Sequence, residues 1–98
     1  MRIQIVSIPK GEPPLWIRKA MVGLVFSVIE EADFGQYTTL KNKTPQQINE
    51  GREIAYFVAK EEITRVLNEK ENKDAIEWFG GIKTEMFFFL KIYCRQTL

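Results

Sequence analysis

REIAYFVAKEEITRVLNEKEN, residues 52–72, decides the fold class. Its first half, IAYFV, is β-branched and aromatic, which suits a pleated, half-buried strand. Its second half has a different period. Ala55, Ala59, Ile63 and Leu67 recur every four residues, and Ile54, Val58 and Val66 widen that set into a helix face. A strand through Val58, then a helix from about Ala59 to Lys70, satisfies both patterns. Tyr56 and Phe57 fit less well on a long helix with one solvent face. A single helix beginning near Thr44-Pro45 is the competing reading of the same residues.

Working outward, NKDAIEWFGG (72–81) reads as a second, short helix. Asn72 can cap it and Asp74 favours its first turn. Ala75, Ile76 and Phe79 can face inward, and Gly80 or Gly81 suits a left-handed terminating position. TEMFFFLKIYCRQ (84–96) reads as one long last strand. Phe88, Leu90, Ile92 and Cys94 share one face, and Phe87, Phe89, Lys91 and Tyr93 share the other.

Upstream, RIQIVSI (2–8) is a strand that Pro9 ends. VGLVFSVI (22–29) is the second strand, with Val22, Leu24, Phe26 and Val28 on one face and Met21, Val25 and Ile29 on the other. Gly23 there predicts close approach by another element. Between them PKGEPP is a loop. Pro14 either opens a short helical turn through Trp16 and Arg18 or leads extended into the strand. Residues 30–51 are polar and turn-rich, with QYTTL (36–40) a candidate edge strand.

These elements predict an α+β fold: a small, curled, mainly antiparallel sheet of three to five strands packed with two helices, a shape that permits a half-barrel. The chain of 98 residues is one domain, 1–98, with the polar stretch at about 30–50 the candidate mobile segment. A hydrophobic fraction of 45% and a charged fraction of 28% belong to a globular chain, not a disordered one.

A formal charge of +1 gives weak steering toward nucleic acid. The sign varies along the chain: residues 1–29 carry four positive charges and one negative, and residues 86–98 carry two positive and none negative. The absence of histidine removes the commonest general base and metal ligand. One cysteine, Cys94, excludes an intrachain disulfide and a multi-thiolate metal site. No signal peptide is read in MRIQIVSIPKG, and a reducing, cytoplasmic setting is the expectation. The longest apolar run, AMVGLVFSVI (20–29), is too short for a membrane span.

Two sets of residues are candidate partner-binding sites. Trp16, with Arg18 and Lys19, can anchor a protein partner, or stack on a base while the cations meet phosphates. Phe87, Phe89 and Tyr93, with Lys91 and Arg95 beside them, form an aromatic stripe if that face is open. A covering helix or a second subunit would hide it. The glycine-rich basic motifs of sheet-based RNA readers are missing. Cys94 reads as a buried structural thiol. Glu30, Glu31 and Asp33 lack the alternation of a calcium loop. Gly80-Gly81 stands outside any phosphate or dinucleotide fingerprint, so no cofactor and no metal is expected.

The sequence therefore points to a noncatalytic protein-interaction or accessory module, binding another protein or a second copy as a homodimer. A weak nucleic-acid-binding domain and a small histidine-independent enzyme are the alternatives.

Overall fold

The computed structural model describes residues 1–10, 13–33 and 54–97. In chain order these form β1 (Arg2–Ile5), α1 (Leu15–Met21), β2 (Val25–Ser27), β3 (Glu30–Asp33), β4 (Ile54–Ala59), α2 (Lys60–Glu69), α3 (Lys73–Gly80), β5 (Met86–Leu90) and β6 (Cys94–Thr97). A 3-10 turn, Lys91–Tyr93, separates β5 from β6. QYTTL and most of the polar stretch lie outside the described residues. Glu30–Asp33, its first part, is strand.

The fold is α+β and antiparallel, but not built on one sheet of three to five strands with two helices. The described strands make two three-stranded sheets, ordered β2-β1-β6 and β3-β4-β5, with three α-helices. The reason is that two segments each serve both sheets. At Val28–Ile29 the chain leaves β2 and enters β3. There the Val28 N–H donates to the Met1 carbonyl at 2.9 Å and the Ile29 N–H to the Phe57 carbonyl at 3.0 Å, one bond to each sheet. The expected single last strand is likewise broken by its 3-10 turn. The Tyr93 carbonyl accepts from the Val6 N–H at 2.8 Å and from the Ser7 N–H at 3.3 Å. Residues 86–90 thus pair with β4 and residues 94–97 with β1.

Strand alternation points Ile3, Ile5, Phe26, Tyr56 and Val58 into the core, where each is buried. Phe26 of one sheet stacks on Phe89 of the other at 5.9 Å with 13° between the rings. Tyr56, buried beneath them, accepts a hydrogen bond from Gln96 Nε2 across the sheets at 3.3 Å. Ile63, Val66 and Leu67 of α2 and Ala75 and Phe79 of α3 complete the core.

Residues 54–72 resolve as strand then helix. Ala59 is extended, and the chain turns helical at Lys60, whose N–H donates to the Glu85 carbonyl at 2.9 Å. Glu61 and Glu62 sit in the first turn, where the helix dipole favours acids. Asn72 then does two jobs. Its N–H reaches the Leu67 carbonyl at 3.0 Å while the Glu71 N–H reaches Asn68 at 3.0 Å, the Schellman pattern that ends α2. Its side-chain oxygen accepts the Ala75 N–H at 3.1 Å and so starts α3. The left-handed residue that this pattern needs is Glu71, with φ 57°.

Three local expectations are corrected. Neither Gly80 nor Gly81 is left-handed: Gly81 is right-handed helical at φ −75°, and the Lys60 ammonium reaches the Ile82 carbonyl at 2.5 Å instead. Val22 is not strand but caps α1. Gly23 is not a close-approach site, because a methyl built there meets nothing within 4 Å. Its φ of 91° is what the turn from α1 into β2 requires. Pro14 sits just before the first helical residue, and its carbonyl accepts the Ile17 and Arg18 N–H groups.

Candidate functional site

The helical reading of residues 15–21 separates the first candidate set. At about 100° per residue, Trp16 and Arg18 fall on nearly opposite flanks of α1, with Lys19 between them on the outward side. Trp16 is 46% exposed and Leu15 55%. Lys19 is exposed and Arg18 half-buried, with its Nε atom enclosed and without a hydrogen-bond partner. Ile17 and Met21 form the buried stripe.

The second set separates by strand alternation. Phe87 and Phe89 turn toward the core and are half-buried, whereas Phe88 is 56% exposed and packs on Phe57 at 5.9 Å. Lys91 is exposed on the 3-10 turn, and Tyr93 is half-buried at its end.

Phe87, Phe89 and Tyr93 nevertheless share one feature, an apolar cleft of about 860 Å³. Pro13, Ile17 and Met21, spaced by four along α1 and its approach, back one wall. Ile8 and Pro9 close the end beside Tyr93. Trp78, Phe79 and Ile82, from α3 and the turn after it, face them. The rings interlock edge to face: Trp78 on Phe79 at 4.9 Å and 87°, then Phe79 on Phe87 at 5.0 Å and 89°. Each such pair is worth about 0.5–1.5 kcal/mol beyond the area it buries, so this wall is stiff. The lining's polar side chains are Ser7, Thr84 and Tyr93, and the Thr84 hydroxyl already donates to the Met86 carbonyl at 2.9 Å.

A second, polar groove of about 280 Å³ runs between β2 and α2. Three of its charges, Glu62, Arg65 and Glu69, are spent on each other. The Arg65 guanidinium donates to Glu62 and to Glu69, both at 2.6 Å, and Glu62 accepts the Ser27 N–H at 2.7 Å. Burial opposes ionisation of Glu62 most strongly, but the Ser27 N–H and Arg65 together outweigh it and hold the carboxyl below its ordinary value.

Neither groove carries an activated nucleophile of the cysteine type. Burial pushes the Cys94 thiol up to about 12, so it stays protonated at neutral pH. Glu30, Glu31 and Asp33 alternate along β3, which puts Glu30 on the opposite face from its neighbour Glu31. No group of three metal-ligating side chains occurs among the described residues. No described helix is long and apolar enough to cross a membrane.

Of the cleft-lining residues, only Phe87, Phe89 and Tyr93 belong to the sequence candidates; the walls from α1 and α3, with Ile17, Met21, Trp78 and Phe79, do not. Only the four-residue spacing of Pro13, Ile17 and Met21 is a signal in the sequence, and it becomes visible once residues 15–21 are read as helix. No family model, no curated protein and no solved structure matches this chain.

Proposed function

We propose that this chain is a noncatalytic protein-interaction module that seats an apolar segment of another protein in the cleft between α1, α3 and β5. The observation that carries the reading is the aromatic wall. Trp78, Phe79 and Phe87 form a stiff apolar surface that opens beside the buried stripe of α1. A concave, aromatic-lined site with a few hydroxyls suits one or two large side chains presented as anchors. Stiff rings lose little entropy when such an anchor enters. Trp16 is exposed on the flank of α1 next to the Ile17 stripe, outside the cleft lining.

The test is binding of short peptides carrying a Trp and a Leu anchor, read by fluorescence anisotropy. Ile82→Lys places an ammonium group at the cleft wall and lowers affinity at least roughly tenfold, because a buried unpaired charge is costly. Trp16→Ala lowers it less and leaves unfolding cooperative. Folded Ile82→Lys protein with undiminished affinity would refute the cleft as the site. Saturable binding of small apolar dyes that no peptide displaces would point to a small-molecule site instead.

A further inference from the structure

We infer that the protein segment seated in the cleft is extended and adds as a further strand to the edge of β5, with large apolar side chains at alternate positions. This rests on the cleft being a peptide site. All five residues of β5, Met86–Leu90, line the cleft. Successive strand residues point to opposite faces, so a cleft on one face would meet only every second residue. A cleft lined by all of them runs past the edge of the strand. Among the described residues β5 is such an edge: its sheet ends there, with β4 on its other side.

The ladder fixes which main-chain groups face outward. The Lys60 N–H donates to the Glu85 carbonyl at 2.9 Å, so these two residues are a hydrogen-bonded pair. Bonded pairs alternate in an antiparallel ladder, and Val58 with Phe87 and Tyr56 with Phe89 are the next ones. The Phe57 carbonyl agrees, since it turns the other way and accepts the Ile29 N–H at 3.0 Å. Met86 and Leu90 therefore aim their N–H groups away from β4. The Met86 carbonyl points the same way. The hydroxyl of Thr84, itself a lining residue, donates to it at 2.9 Å.

Residue choice sets this edge apart from the other three edges of the two described sheets. Glu62 closes β2 by accepting the Ser27 N–H. β3 is EEAD, with three acids, and β6 is CRQT, polar and with an arginine. Charged and polar side chains discourage pairing at a sheet edge. β5 is MFFFL, with neither charge nor proline. Such an edge in an apolar cleft suits another main chain, whose alternating donors and acceptors complement its own. A helix is a poorer occupant, because its backbone is already bonded internally. A second copy is poorer too: its β5 lies in the same concave cleft, and two concave edges do not nest.

The test takes one anchor peptide with Trp and Leu and two forms of it, N-methylated on alternate amides in the two possible phases. Methylation removes backbone donors and keeps every side chain. Only one edge of an added strand faces β5, so one form loses at least roughly tenfold in affinity while the other binds like the parent. With the parent peptide saturating, hydrogen exchange read by NMR slows at least roughly tenfold at the Met86 and Leu90 amides. Equal affinities of the two methylated forms, or unchanged exchange at Met86 and Leu90, overturn strand addition and leave the cleft reading standing. A parent peptide that does not bind overturns the cleft itself. Self-association of the protein that the peptide reverses assigns the edge to a second copy, which also overturns the inference.

Discussion

The Glu62 carboxylate accepts the Ser27 backbone N–H at 2.7 Å, on the side of β2 that no described strand covers. A helix side chain thus supplies the bond that a neighbouring strand would have made, and the sheet edge is closed to other chains. Glu62→Ala leaves that exposed N–H to water and costs about 0.5–1.5 kcal/mol, measurable by urea unfolding. Glu62→Gln keeps an acceptor and loses less. The folded carboxyl titrates below its ordinary value of 4.5, so its contribution is complete above that pH. It is lost as the pH falls through the folded value. The Gln variant should show a flatter stability profile in that acid range, and an unchanged slope would contradict the assignment.

Gly23 and Glu71 carry positive φ for opposite reasons of residue choice. At Gly23, φ is 91° and space is open, so Gly23→Ala isolates the backbone penalty, expected at about 1–2 kcal/mol. Glu71 holds a glycine-type position at φ 57°, so Glu71→Gly should stabilise the chain by about 0.5–1 kcal/mol. Thermal unfolding of both variants gives shifts of opposite sign, and shifts of the same sign would remove the argument.

Lys60 ties the start of α2 to the end of α3 through the Ile82 carbonyl at 2.5 Å and, more weakly, Gly80 at 3.5 Å. Lys60→Met keeps the apolar stem and removes the donor. The expected loss is about 1–2 kcal/mol, with faster hydrogen exchange confined to residues near Gly80–Ile82. Unaltered exchange there would mean that the ammonium group contributes nothing.

Cys94 should resist alkylation. A thiol moved from 9.0 to about 12 has roughly a thousandth of its usual thiolate near pH 8. Iodoacetamide labelling of folded protein should therefore run at least a hundredfold slower than in denaturant. Comparable rates would show that the thiol is open to solvent.

Residues 52–72 were legible because two local signals changed at one point: the β-branched, aromatic run gave way to a four-residue apolar spacing at Ala59. Asn72 was legible for the same reason, since capping is local chemistry. The break at Lys91–Tyr93 was not. FFFLKIYC alternates without interruption, and only the demand that Leu90 pair in one sheet and Cys94 in the other bends it. The boundary between α1 and β2 was hidden because Met21 and Val22 continue the apolar pattern across it. For the cleft, alternation put Phe87, Phe89, Lys91 and Tyr93 on one strand face, whereas the 3-10 turn takes Lys91 and Tyr93 off the strand and, of these, only Phe87, Phe89 and Tyr93 line the cleft. The spacing of Pro13, Ile17 and Met21 marks one helix stripe, but that this stripe and Trp78 meet the β5 aromatics is decided by tertiary packing.

The pairing of β1 with β6 has a consequence for the order of folding events. Gln4 and Arg95, bonded at 2.9 Å, are separated by 91 positions in the chain. The central strand of one sheet therefore gains its second neighbour only when a loop spanning that separation closes. Until then Ile3 and Ile5 sit on a strand with one neighbour, and the open side of that half-built sheet is adhesive. Assembly is also slow for so short a chain, because its loop closures are long. A collapsed state in which β6 has not yet docked on β1 is thus the one most exposed to self-association.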